Sequence, residues 1–91
     1  MYAADVRAKR VTGTGALSLG RARLGALIAT VGAGAGRLTL TDGVGGPVLV
    51  DMDFAASDTH HITLPGDGLL FANDPAVSAA TNVTAATLFF V

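Results

Sequence analysis

The sequence predicts an all-β fold: a single small antiparallel β-sandwich or barrel-like domain with short tight turns and an N-terminal arm. Three observations carry that expectation. Glycine, proline, asparagine and aspartate punctuate the chain at short, regular intervals. Several segments between them alternate apolar and polar residues, as a half-buried strand does. No segment keeps the 3.6-residue apolar period for the length a stable helix needs. A length of 91 residues leaves room for one domain only. Residues 1–10 read as a basic arm or first strand, and residues 11–91 as the β-sandwich.

Taken in order, Ala3–Arg10 is long enough for a helical turn or two but reads as an arm running into the first strand, Val6–Thr12. Gly13-Thr14-Gly15 turns the chain into Ala16–Leu19, and a long strand follows at Arg23–Val31. The run GAGAG, Gly32–Gly36, is of low complexity and reads as a mobile loop. Arg37–Thr41 then places Leu38 and Leu40 on one face and Arg37, Thr39 and Thr41 on the other. Beyond the turn DGVGGP, Asp42–Pro47, the strand Val48–Phe54 sets Val48, Val50, Met52 and Phe54 against Leu49, Asp51 and Asp53. In His60–Leu64, His60, Ile62 and Leu64 share a face, with His61 and Thr63 opposite. Pro65–Gly68 and Asn73-Asp74-Pro75 bracket the short strand Leu69–Phe71, and Val77–Ala80 and Ala86–Val91 complete the set. The turn residues supply either positive φ or a φ fixed near about −65°.

Composition narrows function by exclusion. The chain is 51% hydrophobic and only 14% charged, against about 25% charged in ordinary soluble domains. A disordered tail has the opposite balance. The lack of cysteine excludes a disulfide scaffold and thiolate zinc sites. Five aromatic residues make a thin core for an unstapled domain, so apolar surface covered by neighbouring subunits is expected. The net charge of −1 hides a segregation: residues 1–37 carry six basic groups and one acid, +5, and the remaining 54 residues carry −6. The opening MYAADVRAKRV has no apolar stretch behind its basic residues, and the charge-free segment Pro75–Val91 is laced with serine, threonine and asparagine. Neither a signal nor a membrane span is expected.

Catalytic patterns are equally scarce. GAGAG is half a dinucleotide fingerprint, but Arg37 stands where the pattern needs glycine, and a strand follows where phosphate binding needs a helix. Asp51 and Asp53 share a strand face near His60 and His61, yet adjacent histidines on a strand point to opposite sides. The three serines, at 18, 57 and 78, lie in no nucleophile elbow. The expectation is a non-enzyme with no cofactor and no metal. Asn82-Val83-Thr84 matches a glycosylation tripeptide that is common by chance. Arg7-Ala8-Lys9-Arg10 is the remaining feature. No aromatic residue is interleaved with it after Tyr2 and the pI is near 6.0, which argues against nucleic acid. Docking on an acidic protein surface fits better, with Arg7, Lys9, Arg10, Arg21 and Arg23 as the partner-binding candidates.

From about Val11 to Val91 the order of motifs resembles small all-β virion proteins of tailed bacteriophages and phage-like gene transfer particles. Thr39–Gly46 matches a T-L-x-D-G-x-G-G turn, Pro65–Phe71 a P-G-x-G-[LIV]-[LI]-F segment, and Asn82–Phe90 an N-V-T-x-x-T-[VL]-F-[YF] strand. The resemblance implies a many-copy virion protein, a head decoration (cement) protein on the outer capsid surface. It would bind the major capsid protein as a homo-oligomer, with a trimer favoured. The alternative it leaves open is a head-spike base or a tail component that contacts the host surface through the GAGAG and DGVGGP loops.

Overall fold

Nine strands form in the intervals the turn residues leave. In the computed structural model, which describes residues 7–66 and 68–91, they are β1 (Arg7–Val11), β2 (Gly15–Ala16), β3 (Ala22–Val31), β4 (Gly36–Asp42), β5 (Val48–Phe54), β6 (Thr59–Thr63), β7 (Leu69–Phe71), β8 (Pro75–Thr81) and β9 (Val83–Phe90). There is no helix among the described residues. Of the expected arm or first strand over residues 1–10, residues 1–6 lie outside them, and Arg7–Arg10 belong to β1.

The strands build two antiparallel sheets. One has the order β1-β9-β3-β6, with the short β7 also on β3, and the other has the order β2-β8-β4-β5. β3 is long enough to hold two partners on one side: Ala22–Leu24 pair with β7 and Ala26–Thr30 with β6. The changeover falls at the bulge around Gly25, whose carbonyl accepts the Leu64 N–H at 3.0 Å. The domain measures 42 × 30 × 19 Å. The shortest dimension fits two sheets about 10 Å apart with outer side chains. This is a small β-sandwich, as the sequence predicts.

The inner faces interdigitate into one core. Leu24, Leu27, Leu88, Phe71 and Phe90 from the five-stranded sheet meet Leu38 and Leu40 from the other, and all seven are fully buried. Burying each such side chain contributes about 1.5–3 kcal/mol, before the entropy cost of ordering the chain.

Four local expectations need correction. Thr39 and Thr41, expected on an exposed face, are buried, because β4 lies between β5 and β8. Their hydroxyls donate to Asp51 Oδ1 at 3.0 Å and the Gly43 carbonyl at 2.8 Å. Val48, expected inward with Val50, is exposed: the register shifts from Leu40↔Val50 to Thr41↔Val48, so the bulge at Leu49 turns Val48 outward. Ala16–Leu19 shrinks to the two residues of β2, because the chain turns at Ser18 (φ 58°) and Gly20 (φ 69°) to wrap the Asp74 carboxylate. The GAGAG run is also more tightly held than a mobile loop. Gly32 N donates to the Asn82 carbonyl at 2.8 Å, and the Gly32 carbonyl accepts Ser57 N at 2.7 Å. Asn82 Nδ2 donates to the Ala35 carbonyl at 3.0 Å. A Cβ on Gly34 would press to 2.7 Å from that amide, so a side chain there would require the Asn82 side chain to shift.

Candidate functional site

The sheet orders separate the charges onto opposite flanks. β1 ends one side of the five-stranded sheet, and the Thr12–Thr14 link keeps β2 beside it as the end of the other. β6 and β5 end the opposite sides and are joined by the short segment 55–58. One flank therefore carries the basic strand β1, and the other carries Asp51 and Asp53 on β5.

On the basic flank, Arg7, Ala8, Lys9 and Arg10 are all exposed. Arg7 lies opposite Phe90, Lys9 opposite Leu88 and Val11 opposite Ala86. Those β9 residues are buried in the core, so Arg7 and Lys9 occupy inner-face rows. They reach solvent because the second sheet places only the two-residue β2 on this flank. Arg10, in the alternate row, projects from the outer face beside Thr87. Arg23 is half-buried and opposite Leu70, and Arg21 is exposed just before β3. The five basic candidates thus do not converge. Arg7, Lys9 and Arg10 line one free strand edge, whereas Arg21 and Arg23 lie across the sheet.

On the acidic flank, Arg37 of β4 meets Asp51 in a two-point ion pair, Nε to Oδ1 at 2.8 Å and Nη2 to Oδ2 at 2.5 Å. Hydrogen bonds from Arg37 first, and then from Thr39, hold the Asp51 carboxyl below the usual carboxylate range. The same contact raises the Arg37 guanidinium above its ordinary value. Asp53 stands 4.0 Å from Arg37 Nε with its side chain 84% exposed, which leaves its charge largely unspent. The alternation of β5 places both aspartates on one face, but nothing local in the sequence marks Arg37 as their partner. Arg37 lies opposite Asp53 across the ladder, and Thr39 opposite Asp51.

Asp74 and Asp42 serve the backbone. Asp74 accepts Ser18 N at 3.1 Å, Leu19 N at 2.7 Å and Gly20 N at 3.0 Å. Asp42 accepts Asn73 N at 2.8 Å and Asp74 N at 3.2 Å, so the two carboxylates interlock the turns at one end of the sandwich. The histidines separate as the alternation predicts. His60 tilts on Phe54 with ring centroids 5.0 Å apart, its Nε2 lying 3.2 Å from the Ala55 carbonyl, while His61 is exposed. Among the described residues no three His, Cys, Asp or Glu side chains gather to hold a metal ion. A groove of about 370 Å³ runs beside β5, lined by Leu49, Met52, Leu64, Pro65 and Leu69.

This arrangement offers charged strand edges and an apolar groove, which are means of holding another protein surface. No helix of the described residues is long and apolar enough to cross a membrane. No family model, curated protein or solved structure matches this chain.

Proposed function

We propose that this chain is a non-enzymatic structural protein of a phage-like virion, a decoration (cement) protein that binds the major capsid protein on the outer surface of the shell. The observation that supports this reading best is β1: a strand with basic residues on both faces, paired on one side only, to β9, among the described residues. Such an edge presents unpaired backbone groups and a +3 charge to an acidic strand or surface of a shell subunit. The charges steer encounter and fix register more than they add affinity. The motif order over residues 11–91 supports the virion setting by resemblance.

The test is made on the particles that carry the protein. Many copies per particle are expected, with release at raised ionic strength and a lower melting temperature of the stripped shell. A few copies per particle, or a stripped shell of unchanged stability, would overturn the reading. The spike or tail alternative draws on the DGVGGP turn, where Val44 is 79% exposed. Glycan binding abolished by shortening that turn would favour it.

A further inference from the structure

We infer that copies of this chain associate head to tail, the β1 edge of one copy lying along the β5 edge of the next. The inference stands on the geometry of the two flanks and does not depend on the virion reading. Among the described residues, the strands of five residues or more with a free edge are β1, β5 and β6. β1 carries Arg7, Lys9 and Arg10, β5 carries Asp51 and Asp53, and β6 carries threonines, an isoleucine and two histidines. The basic residues set two β1 edges against each other, which opposes a symmetric β1–β1 dimer. They attract the acidic edge instead.

The faces match as well as the signs. Arg7 and Lys9 occupy inner-face rows of the five-stranded sheet. Asp51 and Asp53 occupy the outer face of the four-stranded sheet, opposite Thr39 and Arg37. In a sandwich, the inner face of one sheet and the outer face of the other look the same way. Two copies in the same orientation, offset by one layer of about 10 Å, therefore bring the four side chains to one surface. Asp53, the acid least engaged by Arg37, is the natural partner for an incoming cation. The apolar groove with Leu49 and Met52 borders the same edge, so a strand docked there also covers apolar surface. The contact is heterologous: each copy gives one edge and receives the other, and it repeats into a closed ring or an open series.

The experiment uses the purified full chain, with Lys9→Glu, Asp53→Lys and the double variant, compared by sedimentation velocity at low and high salt. Circular dichroism and thermal melts confirm folding of each. Wild-type protein is expected to self-associate at low salt, and each single reversal to weaken association about tenfold or more. The double variant, with the charges exchanged between the edges, is expected to recover association. A monomeric wild type, single reversals without effect, or a double variant no better than the singles would overturn the inference. Since no shell is present, failure here leaves the virion reading to its own test.

Discussion

Asp74 shows how much one side chain holds in this domain. Its carboxylate satisfies three successive backbone N–H groups, of Ser18, Leu19 and Gly20, where β2 has ended and β3 has not begun. Asp74→Ala strands those donors and is expected to lower stability by about 2 kcal/mol in urea unfolding, with Asp74→Asn losing less. Asp51 gives the chain a pH dependence of known sign. Its folded-state carboxyl titrates below the unfolded one because Arg37 and Thr39 donate to the charged form. The stabilisation is therefore full above the unfolded carboxylate's pKa and is lost as pH falls through the folded value. Urea midpoints measured down the acid range should fall, and Asp51→Asn should flatten that acid limb relative to wild type. The sequence marks Asp74 as a turn residue, within Asn73-Asp74-Pro75, but its partners lie 54–56 residues away. No local pattern encodes that reach. Arg37 is hidden for the same reason: its pairing with Asp51 depends on the β4–β5 register, which the bulge at Leu49 sets.

At the scale of elements, the turns carry the strictest demands. A side chain on Gly46 would collide with the Asp42 carbonyl oxygen, which the DGVGGP turn folds back against it. Gly46→Ala is expected to cost about 2 kcal/mol or more in thermal or urea unfolding. Gly13 has open space around it and no positive φ, so Gly13→Ala should change stability by about 1 kcal/mol at most. Eight of the nine strands were legible, because each combines alternation or an apolar run with a bounding turn signal, whereas the two-residue β2 shares only Ala16 with the expected Ala16–Leu19. Their faces were legible where pairing is regular, as in β6 with His60 and Ile62 inward. They failed at Val48, where the extra residue of a bulge reverses the alternation. Thr39 and Thr41 keep the expected face, opposite to Leu38 and Leu40, but are buried on it, since a strand's own sequence does not reveal that neighbours flank it on both sides.

Over the whole molecule, composition and periodicity specify a sandwich but not which strand lies beside which. The pairing of β1 with β9, the first strand with the last, is such a non-local fact, and it gives the basic residues their edge. Long-range pairing of this kind slows folding, because loop closure precedes the reward of contact. Refolding after dilution from denaturant is expected on the millisecond-to-second scale in a single phase, and microsecond folding would contradict the topology. The chain also alternates between sheets: only the β4–β5 and β6–β7 connections join successive strands of one sheet. Each of the other turns laces one layer to the other. A single backbone cut in a surface loop, such as DGVGGP, therefore leaves both layers sewn together by the remaining crossings. Intact and nicked protein should migrate alike until denatured.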